Sequence, residues 1–195
     1  MNHGERALQD RLGTRERADA FAARQALSHL NDRMRHFIGR QEMMFLATAD
    51  AAGGCDSTFR AGPPGFVRVL DEEHLSWPEY RGNGVMASLG NVTENGHVGL
   101  LFIDFQDVIG LHVNGTAEIV EDPDEQIDTA PGRRVRLWVV TRVQEAYIHC
   151  AKHIPRMAKI PRQGPSTKKS EYFVPGTPEP DAATRSRSDE APRPA

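Results

Sequence analysis

Short strand-like segments separated by turn-forming residues recur along the middle of the chain and restrict the folds open to it. The segments are residues 43–48, 56–60, 66–70, 75–77, 97–103, 111–120 and 135–148. Turn formers such as DAAGG, AGPPG and DEEH stand between them. Strands this short and this closely spaced are typical of antiparallel barrels and sandwiches. Residues 85–95 interrupt them as a short helix, so the pattern predicts a mainly β (α+β) fold.

Different sequence patterns flank this β region. Residues 5–38 carry apolar side chains at spacings of three and four, which predicts helix, and Gly39 supplies a stop. We therefore expect a helical extension over residues 1–39 and a β domain over residues 40–160. Residues 161–195 form a polar tail, and 175–195 are predicted to be disordered because they have almost no apolar surface to bury.

Composition argues against several classes of protein. A formal net charge of -3 does not provide the basic face that general nucleic-acid binding requires. No apolar run approaches the roughly 18 residues of a membrane span, and the first residues lack the apolar core of a secretory signal. We expect a cytoplasmic protein whose two cysteines, Cys55 and Cys150, are reduced thiols.

A glycine-spaced polar loop, YRGNG at Tyr80 to Gly84, follows one of the predicted strands. Arg81 and Asn83 offer side-chain donors, and Gly82 and Gly84 allow the backbone to approach a ligand closely. The helix that follows would direct its first N–H groups at the same place. The loop is therefore a candidate phosphate site, and the alternative is a flexible connection that needs glycine only for its turns.

Two further arginines, Arg60 and Arg68, flank the tight turn AGPPG. In a strand over residues 66–70, Phe66, Arg68 and Leu70 would share one face, opposite Val67 and Val69. An arginine among apolar neighbours needs an anionic partner. That partner is either a carboxylate such as Asp71 or Glu73, or a ligand phosphate.

The segment HCAKH, His149 to His153, resembles a metal-binding motif but supplies at most half of the ligands that a structural zinc site needs. Cys150 is more simply interpreted as a buried, inert thiol than as a nucleophile. Imidazole and ammonium groups at this strand end could instead contact a bound ring system.

Five motifs in order resemble one family. They are MMFLATADAAGGCDSTFRAGPPGFVRVLDEEHLSW, YRGNG, SLGNVTENGHVGLLFIDF, LHVNGTAEIV and VQEAYIHCAKHI. In this order they resemble the pyridoxamine 5'-phosphate oxidase-related FMN-binding split-barrel proteins. The resemblance implies a six-stranded split β-barrel that forms a homodimer with FMN at the subunit interface.

The resemblance also implies a set of cofactor-binding residues. Those expected around the flavin phosphate and ribityl chain are Arg60, Phe66, Val67, Arg68, Tyr80, Arg81, Gly82 and Asn83, with Ser88 and Asn91 on the following helix. His149 and Lys152 match the late segment that reaches the cofactor from the partner subunit. No catalytic side chain and no metal ligand is implied.

This chain departs from the family pattern at two places. His112 and Thr116 stand where related sequences carry arginine, and the arginine-x-histidine segment that grips pyridoxamine phosphate is missing. The first departure weakens the case for one cationic contact, and the second argues against pyridoxal phosphate synthesis. The expectation is an FMN-dependent oxidoreductase acting on a small molecule. The alternatives are a flavin-binding protein without turnover and a split-barrel protein that uses F420 or haem.

Overall fold

One antiparallel sheet dominates the computed structural model, which describes residues 2–80, 84–121 and 135–160. The strands are β1 (Met43–Ala49), β2 (Cys55–Ala61), β3 (Arg68–Val69), β4 (His74–Tyr80), β5 (His97–Asp104), β6 (Ile109–Glu121) and β7 (Val135–His149). The helices are α1 (His3–Leu12), α2 (Arg15–Gln25), α3 (Asp32–Gly39) and α4 (Ala87–Glu94). The strand order is β2-β1-β5-β6-β7-β4-β3. The mainly β fold class is confirmed, although the described residues form seven strands rather than six because of the two-residue β3.

One compact unit spans Met1–Ala158. The sheet and helices given above belong to this unit. The tail predicted to be disordered, residues 175–195, lies outside the described residues.

The single N-terminal helix expected over residues 5–38 is three helices. The chain breaks first at Gly13, which takes a left-handed φ of 65° and caps α1. It breaks again before α3, where Leu27 exchanges two backbone hydrogen bonds with Ala146 of β7. Periodicity predicted the helical state but could not predict this strand-like contact, because Leu27 and Ala146 are far apart in sequence.

The predicted strand over residues 66–70 is reduced to β3, and its expected alternation is wrong. Phe66 and Val67 are both buried, at 5% and 1% exposure, whereas Arg68 and Leu70 are exposed. Phe66 closes a turn by donating its N–H to the Pro63 carbonyl at 2.9 Å. The turn rotates the backbone, so successive residues in this segment do not point to opposite faces.

The core lies on one face of the sheet, under α4. Met44, Leu46, Leu100, Phe102 and Val113 are at most 1% exposed. They alternate along β1, β5 and β6 with residues that face outward. Burying these side chains provides much of the drive for folding, at roughly 25 cal/mol for each Å² of apolar surface.

The two ends of the sheet approach each other. Arg60 of β2, the first strand in the sheet order, forms an ion pair with Glu79 of β4, the last but one. Strands so far apart in the order can touch only if the sheet curls. This curl accounts for the burial of β4 on both faces from Leu75 to Pro78.

Candidate functional site

The Arg60–Glu79 pair lies at the core side of the curled sheet. Arg60 Nε donates to Glu79 Oε1 at 2.8 Å, and Trp77 Nε1 donates to the same oxygen at 3.1 Å. Arg60 Nη1 also donates to Thr58 Oγ1 at 2.9 Å. The side chains of Arg60 and Glu79 are only 19% and 12% exposed. A ligand anion would therefore compete with Glu79 for this guanidinium.

Arg68 lies over the ring of Trp138 on β7, with 4.2 Å between its Cζ and the ring centroid. This is the geometry of a cation–π contact. The two carboxylates expected as possible partners are engaged elsewhere, since Asp71 pairs with a neighbouring histidine and Glu73 with an arginine of β7. Among the described residues, neither Asp71 nor Glu73 nor any other carboxylate pairs with Arg68.

The two arginines approach β4 from opposite faces. Arg68 is the register partner of Ser76 and shares its face of the sheet. Glu79, which holds Arg60, lies three residues along the strand and points to the other face. The structure therefore does not bring Arg60 and Arg68 together around one anion.

The predicted phosphate loop begins at the end of β4. Tyr80 is the last residue of that strand and is partly exposed. Arg81, Gly82 and Asn83 lie outside the described residues. Gly84, on the far side of the loop, has a φ of 86°, a left-handed conformation that favours glycine. The assignment of this loop to a phosphate remains a prediction from the sequence.

The other predicted residues near the loop have roles within the fold. Ser88 Oγ donates to Asp56 Oδ2 at 2.9 Å, and Asn91 Nδ2 donates to Thr48 Oγ1 at 3.0 Å. These bonds fasten α4 to β2 and β1. Because Phe66 and Val67 are buried, they would meet a ligand chiefly through their backbone.

A cluster of rings occupies the outward face of β6 and β7. The ring of His112 stacks on that of Tyr147 with centroids 4.7 Å apart and planes at 21°. His112 Nε2 lies 2.7 Å from His149 Nδ1, within hydrogen-bond distance. Gly110 makes room for His149, because a Cβ at this position would stand 2.7 Å from the His149 Cβ. Phe21 of α2 meets Tyr147 edge to face at 5.7 Å.

The surroundings shift the protonation equilibria in this cluster. Burial and then the neighbouring His149 lower the pKa of His112, and Glu145 opposes them. Burial raises the pKa of Tyr147, an effect that a hydrogen bond with Asn114 partly offsets. The cluster presents aromatic surface and imidazole nitrogens rather than the fixed positive charge of an arginine.

We expect acid to destabilise the protein through His112. A histidine whose pKa is lowered on folding binds fewer protons in the folded state than in the unfolded state. Its contribution to the free energy of unfolding is therefore complete above its pKa in the unfolded state and is lost as pH falls below that pKa. The free energy of unfolding should therefore fall from about pH 7.5 to about pH 5.5, and the fall should be smaller in His112→Gln. Urea titrations at both pH values test this, with His97→Gln, an exposed histidine on β5, as the control. Equal pH dependence in His112→Gln and wild type would contradict the assignment.

The rest of the HCAKH segment is exposed. Lys152 lies in a short 3-10 turn, Ala151–His153, directly after β7. Cys150 is a free and exposed thiol, so its expected burial is wrong, and Cys55 is free and exposed as well. Within the described ranges, no three His, Cys, Asp or Glu side chains are grouped so that they could hold a metal ion.

Sequence reasoning missed Trp138 and Glu79, which contact the predicted residues Arg68 and Arg60. It also missed Tyr147 and Phe21, which belong to the ring cluster. The signal for Tyr147 was available in part, because it shares a strand face with His149 two residues later. Its contact with His112 depends on the β6–β7 register. The Trp138 contact depends on the β7-β4-β3 strand order, the Glu79 contact on the curl of the sheet, and the Phe21 contact on the packing of α2.

One family model matches more than half of the chain. The model of the family described as pyridoxamine 5'-phosphate oxidase matches residues 30–150. This segment runs from just before α3 to just after β7 and leaves out α1 and α2. No curated protein matches the sequence significantly.

Several solved structures resemble the chain at low sequence identity. HupZ from Group A Streptococcus is 19% identical with a TM-score of 0.49, and the match covers 66% of this chain and 99% of that one. A Lactobacillus delbrueckii protein named for pyridoxamine 5'-phosphate oxidase is 23% identical with a TM-score of 0.47, covering 63% and 98%. HutZ, the haem storage protein from Vibrio cholerae, is 15% identical with a TM-score of 0.41, covering 61% and 94%. These similarities are too distant to assign a ligand.

In the parts of the chain that the structure describes, no helix is both long and apolar enough to cross a membrane.

Proposed function

Since this chain belongs to the pyridoxamine 5'-phosphate oxidase family, we propose that it binds FMN and acts as an oxidoreductase on a small molecule. The observation that carries the proposal is the family match over residues 30–150, which spans every predicted cofactor residue except Lys152. Bound FMN would supply hydride or electron transfer, while the protein supplies binding, orientation and shielding from water.

The residues of this chain suit the chemistry of a flavin mononucleotide. Its phosphate needs cationic donors, and Arg68 offers a guanidinium that no described carboxylate neutralises. Arg81, in the loop outside the described residues, is the second proposed donor. Tyr80 lies at the start of the same loop.

The ring cluster suits the flat, hydrogen-bonding body of the cofactor. Tyr147 and His112 form a flat stack, and His149 adds an imidazole at the strand end. The lowered pKa of His112 keeps it neutral at physiological pH, so it would orient a ligand by hydrogen bonds. Lys152 would add the positive charge that His112 does not provide.

A homodimer is part of the proposal. Phe45 and Phe59 contact each other at 5.6 Å on the outward face of β1 and β2 and remain 36% and 51% exposed. Two large exposed aromatic side chains side by side are typical of an interaction surface. In the proposed dimer this face meets its copy, and His149 and Lys152 of one subunit reach the cofactor held by the other.

Titration of the purified protein with FMN is expected to give one site per chain. Light scattering in the presence of FMN should report twice the 21.7 kDa mass of the chain. FAD should bind more weakly, because a site that closes around a terminal phosphate excludes the adenylate group. If neither flavin binds at about micromolar concentration, at which a specific site should fill, the proposal fails.

Haem binding without catalysis is the second candidate function. The paired imidazoles of His112 and His149 favour it, because neutral imidazole nitrogen is a common ligand of haem iron. The absorption spectrum of the freshly purified protein separates the two candidates, since flavin and haem have distinct bands. A flavoprotein without turnover would show the flavin bands but would not be reduced by NADPH in the presence of candidate acceptors.

A further inference from the structure

A shallow cavity of about 650 Å³, largely open to solvent, lies along the N-terminal helices, in the part of the chain that the family model leaves out. Its volume is within the range of small-molecule sites, roughly 300–1,000 Å³. The residues that line it come from α1, α2 and the turn between them. They include Arg17, Phe21 and Arg24 of α2.

The side chains on one face of α2 define the chemistry of this cavity. Arg17, Phe21 and Arg24 are spaced by four and three residues, so they share a helix face. A large aromatic ring therefore stands between two guanidinium groups. Phe21 also makes an edge-to-face contact with the ring of Tyr147.

Within the described ranges, the charges of Arg17 and Arg24 are not matched. Other arginines of the same helices are matched, since Arg6 pairs with Asp19 and Arg15 with Asp10. Among the described residues, neither Arg17 nor Arg24 has a carboxylate partner. Two unmatched cations on either side of an aromatic ring are complementary to an anion with an apolar body.

We propose that this cavity binds a small organic anion with an aromatic or aliphatic body, and that Arg17 and Arg24 recognise its acidic group while Phe21 packs against the body. The site adjoins the proposed FMN site through the Phe21–Tyr147 contact, but the proposal does not rest on FMN binding. Guanidinium groups suit carboxylate, sulfonate and phosphate alike, because each presents oxygens in the geometry of the guanidinium fork.

The test uses two fluorescent probes of similar shape and different charge. Anilinonaphthalene sulfonate carries one negative charge, and N-phenylnaphthylamine is its neutral counterpart. The full-length protein should bind the anionic probe more tightly than the neutral one. Arg17→Ala and Arg24→Ala should each weaken binding of the anionic probe roughly tenfold, as expected for loss of a charge-assisted contact. Binding of the neutral probe should not change.

Two further variants serve as controls. Phe21→Leu should weaken both probes, because both share the apolar body that Phe21 contacts. Arg11→Ala removes an arginine of α1 that does not line the cavity and should change neither. Circular dichroism establishes that each variant is folded.

Two results would overturn the proposal. In the first, Arg17→Ala and Arg24→Ala bind the anionic probe as tightly as Arg11→Ala does. In the second, the wild type binds neither probe here while light scattering shows a dimer that the arginine variants lose. That outcome would assign this face to a second copy of the chain.

Discussion

Replacing Arg60 with alanine is expected to lower the free energy of unfolding by about 2 to 3 kcal/mol, somewhat less than the roughly 3–5 kcal/mol for a fully buried pair. The loss would arise because Glu79 stays in a site where it is only 12% exposed and loses the Nε donor 2.8 Å away. Trp77 would remain as its donor and limit the cost. The same substitution also removes the contact that joins the two ends of the curled sheet.

A double-mutant cycle measures this coupling. Urea unfolding is followed in Arg60→Ala, in Glu79→Gln and in the double variant. The two single losses in the free energy of unfolding, added together, should exceed the loss in the double variant. Arg142→Ala is the matched control, because its pair with Glu73 is exposed and has a 3.8 Å separation. That control should cost at most about 1 kcal/mol, as surface pairs do. If Arg60→Ala costs no more than Arg142→Ala, the pair does not help to hold the sheet closed.

Local patterns in the sequence were sufficient to predict most of the sheet. The segments 43–48, 97–103 and 111–120 lie within β1, β5 and β6 and miss no more than two residues at an end. Their signal is local, because apolar runs are bounded by turn formers such as Asp50, whose Oδ1 accepts from Ala52 and Gly54 N–H groups. The prediction for residues 66–70 was wrong because a turn at Pro63 prevents successive side chains from alternating between the two faces of a strand.

The contacts of the candidate site could not be predicted in the same way. The resemblance predicted His149 and Lys152 as cofactor-binding residues, but it did not predict the side chain that contacts His149. His112 lies 37 residues from it in sequence, and only the β6–β7 register brings them together. The contact between Arg60 and Glu79 could not be predicted either, because it depends on the curl, which is a property of the whole sheet.

Replacing Arg81 with alanine is expected to weaken FMN binding roughly ten- to a hundredfold while riboflavin binding stays close to wild type. A charge-assisted contact from a guanidinium to phosphate contributes on the order of 1.5 to 3 kcal/mol, which corresponds to that change in dissociation constant. Riboflavin has no phosphate and never makes the contact. The ratio of the two affinities therefore isolates the phosphate from every other contribution to flavin binding.

Arg68→Ala provides the second arm of the same experiment. Its guanidinium is engaged with the Trp138 ring, so this variant should lose FMN preference and also some stability, since the arginine stem covers part of the ring. Arg81→Ala should unfold like wild type in the absence of ligand. Arg142→Ala removes an exposed arginine of β7 and should preserve both affinities. If Arg81→Ala and Arg68→Ala both keep the wild-type preference for FMN over riboflavin, the phosphate lies elsewhere and YRGNG is only a connection between β4 and α4.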